Sequence, residues 1–199
     1  MKNIIIICLL AIGFTSCGIN KQAQQIKALE QCDYKVKDID QITVAGTDIK
    51  KLVTDQSINL VNLPGLALGF LRQDIPLRAN LKLEIINPSN SLAAINNFEY
   101  IILVNRQELV NGTVDQRVSI EPGQTTTVPL QLNANIYEFL SNQKILSEVT
   151  GFLTSAKSGK ETKGLVTIKI KPSIMVGGNL VKYPGYITID KEVSSKILL

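Results

Sequence analysis

The side chains able to do covalent or acid–base chemistry are few in this sequence, and one type is missing. It holds three cysteines, Cys8, Cys17 and Cys32, and no histidine in 199 residues. Without histidine there is no usual general base at neutral pH, no imidazole ligand for a transition metal, and no Ser–His or Cys–His pair. Carboxylates can work in pairs as acid and base. Glu84 and Glu99, however, each alternate with apolar neighbours in the manner of solvent-facing strand positions, and nothing singles out a pair. The run "GLALGFL" at 65–71 lacks the Lys-Ser/Thr ending that grips phosphate and magnesium. "VGGN" at 176–179 reads as a hairpin turn, and no cluster of acids forms a calcium loop. The expectation is therefore no catalytic residue, no metal and no cofactor.

Cys17 is the exception that asks for chemistry. Residues 4–17 read "IIIICLLAIGFTSC" after a basic Lys2, and the chain then turns polar with "GINKQAQQ". Eleven almost wholly apolar residues, Ile4 to Phe14, are too short for a bilayer core that takes about 20 helical residues to cross. They fit the apolar centre of a secretory signal. Phe14-Thr15-Ser16-Cys17-Gly18 resembles a bacterial lipobox, with Phe14 where leucine is usual. That resemblance implies cleavage before Cys17 and lipid on its thiol. The alternative is an ordinary signal peptide with Cys17 a chance thiol. Acyl chains add roughly 0.8 kcal/mol per buried CH₂, so two or three hold a protein at a membrane without a spanning helix. Gly18 in place of Asp, by similarity to enterobacterial sorting, implies the outer membrane. The lack of an acidic run after Cys17 argues against surface export of the Bacteroidota kind and for the periplasmic face.

Removing residues 1–16 leaves 183 residues, enough for one core in a single domain at 33–199. The formal charge of +4 is spread without a basic block, which excludes nucleic acid as an expected partner. Cys32 is then a lone thiol, expected at a half-buried edge of the fold. Residues 17–32 are expected to be the lipidated terminus and a flexible tether, at most transiently helical. Fully extended, 14 such residues would reach about 45–50 Å.

Strand periodicity dominates the remainder. Leu77, Ala79, Leu81, Leu83 and Ile85 share one face, as do Val128, Leu130 and Leu132, and Val166, Ile168, Ile170 and Ile174. Pro129 lacks an N–H, which predicts an edge or a bulge. "NFEYIILVN" is apolar on both faces and belongs in mid-sheet. Pro184-Gly185 suits a turn. From Asn135 to Ala156 the spacing of Ile136, Phe139, Leu140, Leu146, Val149 and Leu153 predicts a helix, started by Asn133 or Asn135. Gln143 interrupts it, predicting a kink or two short helices. Another short helix is expected over 48–55. Together these predict a mainly β fold, an antiparallel sandwich with one longer helix in the C-terminal third closing one end.

The stretch from Ile75 to Ile136 resembles the late-embryogenesis-abundant type 2 domain, also called the water-stress and hypersensitive-response domain. Asn87-Pro88-Ser89-Asn90 stands for the family's Asn-Pro-Asn turn, followed by Tyr100, Gly112 and Pro122-Gly123 in order. The resemblance implies an immunoglobulin-like sandwich and an association with stress tolerance or envelope maintenance, with no catalytic residues to transfer. It also implies a hairpin at 105–107 and a bulge at Gly112, although Asn111-Gly112 is locally a hairpin signal. Asn87, Pro88 and Asn90 read as a structural turn: Pro88 ends a strand, and the asparagines bond the turn backbone.

One segment remains for binding. Leu60 to Leu71 is strongly apolar and uncharged. It is either a buried crossover at the end of the sandwich or an exposed patch of Leu66, Leu68, Phe70 and Leu71 for an apolar ligand, lipid or envelope protein. The sequence thus favours a non-enzymatic, lipid-anchored envelope protein with a binding or structural role. A carrier or chaperone of apolar cargo is the alternative, and a hydrolase the remoter one.

Overall fold

A computed structural model describes residues 16–54, 64–176 and 178–198. The chain builds two antiparallel sheets face to face. Strands β1 (Asp33–Val44), β2 (Thr47–Asp48), β3 (Pro76–Ile86) and β8 (Thr125–Asn135) form one, ordered β2-β1-β3-β8. The other is built from β5 (Phe98–Val104), β6 (Gln107–Val114), β9 (Lys163–Val176), β10 (Asn179–Lys182) and β11 (Ile187–Ser194). It runs β10-β9-β5-β6, with β11 also paired to β9. A short pair, β4 (Ala93–Ile95) with β7 (Val118–Ile120), closes one side. The expected sandwich is what forms.

Alternation explains the sheets. Along β3, Leu77, Ala79, Leu81, Leu83 and Ile85 are all buried, and on β8 so are Val128, Leu130 and Leu132. Strand period two sends these side chains to one face, where each fully buried leucine stabilises by roughly 1.5–3 kcal/mol. Pro129 sits on β8, an edge strand, in unbroken register opposite Lys82. β5 lies between β9 and β6, as its two apolar faces require.

The β5–β6 hairpin turns at Asn105 and Arg106, both with positive φ (49° and 69°). That is the pattern of a tight turn matched to strand twist. Asn111-Gly112 is therefore not the turn. The irregularity in this ladder lies at Leu109, which is skipped between Ile102↔Val110 and Leu103↔Glu108, so Gly112 is not at the bulge. Gly112 instead pairs with Tyr100, whose ring covers it. A β-carbon there would sit 2.5 Å from the Tyr100 hydroxyl oxygen. That hydroxyl donates to the Gln131 carbonyl at 2.7 Å, tying the second sheet to the first.

The N-terminal segment departs from expectation. Ser16–Glu30 is a helix, α1, and not a flexible tether. Its Ile26, Ala28 and Leu29 are buried in the same core as β3 and β5. Polar residues dominate its composition, so the stripe is too narrow to stand out in the sequence, yet it is enough to dock the helix. Both ends are tied. At the C-terminal end the Tyr34 hydroxyl donates to Leu29 O at 2.7 Å, and the Cys32 thiol donates to Ala28 O at 3.4 Å. Near the N-terminal end the Gln22 amide accepts from Met175 N–H at 2.7 Å and donates to Met175 O at 3.0 Å. The side chain makes both bonds that a neighbouring strand would make where β5 has ended. Cys32 is buried, not half-buried, and burial together with the Asp33 charge pushes its thiol up to about 11.

Candidate functional site

The opposite end of the sandwich is covered by helices, and each has a local reason. Asp48 accepts from Lys51 N–H at 3.1 Å and starts α2 (Ile49–Thr54). Residues 64–72 form helix α3 (Pro64–Arg72), with Pro64 at its first position, where a missing N–H costs nothing. The two glycines of "GLALGFL" serve packing: a β-carbon on Gly65 would meet Ala45 O at 2.4 Å, and one on Gly69 would meet Ile75 Cγ1 at 2.8 Å. Spaced four apart, they share one helix face and let α3 lie against the sheet. The helical stripe of 135–156 is broken at Asn142, giving α4 (Tyr137–Ser141) and α5 (Gln143–Lys157). The Asn142 side chain caps α5 by accepting from the N–H groups of Lys144 and Ile145. Asn135, not Asn133, serves the start of α4, accepting from Tyr137 N–H at 3.0 Å and from Ile75 N–H at 2.9 Å.

Among the described residues, these helices cover a half-open cavity of about 190 Å³ whose walls are entirely apolar. The sheets contribute Val44, Leu77 and Val104, α2 contributes Ile49 and α3 contributes Leu66. Phe139 and Leu140 come from α4, and Leu146, Val149 and Leu153 from α5. All six residues of the predicted stripe, Ile136 included, line it. A groove of about 460 Å³ lies alongside and shares the walls Val104, Val149, Leu153 and Leu198. Its rim is polar: Asn105 donates to Glu148 Oε2 at 2.6 Å, and Lys163 lies 2.9 Å from Glu192 Oε2.

Dry apolar cavities near 150 Å³ take up benzene-sized molecules. Chemically, the site can do one thing, which is to shelter apolar matter from water.

The structure separates the four residues of the expected patch. Leu66 is buried in the cavity wall, and Phe70 is half-buried, its ring 6.2 Å from that of Tyr137 in an edge-on arrangement. Only Leu68 and Leu71 are exposed, the latter at 80%. The segment is thus neither a plain crossover nor a four-residue patch; residues 55–63, which include its first part, lie outside the described residues. Asn87, by contrast, is fully buried and inward, whereas Pro88 and Asn90 are exposed.

Other candidates stay apart. Glu84 is on β3 with Lys37 at 3.3 Å, and Glu99 is on β5 in the other sheet with Lys182 at 2.5 Å. Among the described residues no group of three or more Cys, Asp or Glu is placed to hold a metal ion, and no helix is long and apolar enough to cross a membrane. The backbone of Cys17 is the second position of α1, while residues 1–15, which carry most of the expected signal, lie outside the described residues. The sequence reading missed Ile145, a buried residue one position before Leu146, and the cavity itself. The α5 stripe was the available signal for both.

No protein-family model and no curated protein matches the chain. Among solved structures, it is similar to the crystal structure of a protein from Archaeoglobus fulgidus, at 18% identity over 60% of this chain and 83% of that one, with a TM-score of 0.30. It is similar also to the solution structure of a protein from Arabidopsis thaliana, at 12% identity over 59% and 68%, TM-score 0.35. A third is the solution structure of a candidate late embryogenesis abundant (LEA) protein, at 11% identity over 97% of this chain and 85% of that one, TM-score 0.32.

Proposed function

We propose that this is a non-enzymatic protein of the bacterial envelope, anchored through lipid on Cys17, which binds an apolar ligand at the helix-covered end of its sandwich. The late-embryogenesis-abundant type 2 signature, Asn87-Pro88-Ser89-Asn90 with Tyr100 and Gly112, supports reading the body as such a domain and gives the stress-protective role its footing. The lipobox supports the outer membrane, periplasmic face, as its place. The observation that carries the binding reading is the wholly apolar cavity of about 190 Å³ beside a larger groove with a polar rim. That combination suits a molecule with an apolar body and a polar end, such as an acyl chain with its carboxylate or headgroup.

The test uses the protein extracted from native membranes and titrated with N-phenyl-naphthylamine, whose emission rises in apolar surroundings. Val149→Trp fills the wall shared by cavity and groove. Saturable emission with the wild type, displaced by a fatty acid and lost in a folded Val149→Trp variant, is the expected result. Equal emission from both proteins, or none from the wild type, refutes the ligand site. Mass spectrometry of the N-terminal peptide, with Cys17→Ala for comparison, tests the anchor: an unmodified Cys17, or unchanged membrane retention in the variant, refutes it.

A further inference from the structure

The docking of α1 changes what an anchor at Cys17 would do. A tether would let the body float, but here the chain passes from residue 17 directly into a helix pinned to the sandwich. Gln22, five residues on, holds the backbone of Met175 through two hydrogen bonds. At about 1.5 Å of rise per helical residue, Cys17 lies roughly 8 Å along the helix axis from that attachment. Met175 belongs to the β9–β10 hairpin, so the bonds of Gln22 set the first turns of α1 beside that hairpin.

The tip of the hairpin is apolar on both faces. Met175 and Leu180 are directly opposite on one face and are 39% and 50% exposed. Val181, opposite Ile174, lies on the other face and is 46% exposed. Ile19 on the first turns of α1 is exposed as well. All four residues of β10 are exposed, although it pairs fully with β9. Behind the tip stand two lysines: Lys182 is paired with Glu99, and Lys171 lies over the Tyr186 ring. Scattered single hydrophobes need no explanation, but Met175, Leu180 and Val181 are exposed together on one hairpin.

We infer that the β9–β10 tip and the first turns of α1 form a second membrane contact, in which Ile19, Met175, Leu180 and Val181 enter the bilayer surface beside the anchor. What selects a bilayer over a protein partner is where the chain leads. Cys17, the residue the lipobox resemblance marks for lipid, is the second residue of α1 and so stands at this same end. This inference rests on the anchored reading proposed above.

Its consequence is orientation. Val104 lines the cavity and pairs with Val166, nine residues before Met175 on β9. At about 3.3 Å per residue the cavity end stands roughly 30 Å from the contact. The body is held upright, and its apolar cavity faces away from the membrane that anchors it.

The sequence has no tryptophan, so one introduced residue reports alone. Leu180→Trp and, as the far-end control, Leu71→Trp are prepared as full chains. Each is purified from whichever fraction holds it and added to vesicles of brominated phosphatidylcholine and phosphatidylglycerol. Bromine quenches tryptophan only on contact. The expected result is loss of most of the Leu180→Trp emission, with Leu71→Trp unchanged. An unquenched Leu180→Trp on vesicles, or equal quenching at both positions, overturns the inference. Mass spectrometry of Cys17 in the same samples separates the two readings. A lipidated Cys17 with unquenched Leu180→Trp sinks the contact and leaves the anchor. Quenching with Cys17 unmodified sinks the anchor and leaves the contact.

Discussion

Replacing Asn87 by alanine asks whether the Asn-Pro-Ser-Asn segment is architecture or a recognition site. The Asn87 side chain is fully buried and uses its whole hydrogen-bonding capacity. Its Nδ2 donates to Ser91 O at 2.8 Å and to Ile120 O at 2.9 Å, and its Oδ1 accepts from Ser89 N at 3.0 Å and Ser89 Oγ at 2.7 Å. Its main chain is bonded too, donating to Gln124 O and accepting from Gly123 N. One side chain thus joins the end of β3, the 88–91 turn and the start of the turn after β7. The bond to Ile120 O is buried, so leaving that carbonyl alone costs about 1–3 kcal/mol; the three others contribute about 0.5–1 kcal/mol each. The sum is roughly 2.5–6 kcal/mol, which at about 2–4 °C per kcal/mol in a domain of this size lowers Tm by about 5–24 °C. Paired thermal and urea melts of Asn87→Ala and Asn90→Ala give the measurement. Asn90 is exposed, and its variant is expected within about 0.5 kcal/mol of wild type. A loss below about 1 kcal/mol for Asn87→Ala would refute the architectural reading. Asn87→Asp adds a pH signature. A carboxylate facing two carbonyl oxygens is disfavoured, so the folded variant holds its proton above the pH at which the unfolded chain releases it. Its stability is greatest in acid and falls as pH rises past about 4.

Three further outcomes are expected. Tyr100→Phe loses the bond that joins the sheets and costs about 1 kcal/mol, whereas Gly112→Ala forces the ring aside and costs about 1–3 kcal/mol. In a Tyr100→Leu background most of the Gly112→Ala penalty should vanish, and a double-mutant cycle by urea denaturation would show otherwise if the close contact were unimportant. Cys32, held up to about 11 against an ordinary 9.0, keeps its proton in the folded state after the unfolded chain has lost it. The stability it contributes is therefore present below pH 9 and lost between pH 9 and about 11, a decline that Cys32→Ser should flatten in pH-dependent melts. Gln22→Ala removes both bonds to Met175, and hydrogen exchange should quicken at the Met175 amide and across residues 18–24 while the β3 and β5 amides keep their protection.

What could be read from the sequence was whatever repeats locally. Period-two runs such as Leu77 to Ile85 announced their strands because burial on one face needs no knowledge of the partner strand. The stripe from Ile136 to Leu153 announced helix in the same way, with its interruption near Gln143. Asn87 could be placed in a turn because proline restricts its predecessor wherever it stands. The cavity was not legible, since it exists only where Val44, Leu77, Val104 and four helices converge, and no segment carries its shape. Nor was the fate of "GLALGFL": hydrophobicity marked it, but only the close approach of Gly65 to Ala45 and of Gly69 to Ile75 decided that it would be a helix with Leu66 in and Leu71 out. The same holds for α1. Its Gln- and Lys-rich composition reads as a tether because three buried side chains are too few to register as a pattern. Tertiary structure overruled that reading by giving Ile26, Ala28 and Leu29 a core to enter and Gln22 an open strand edge to fill.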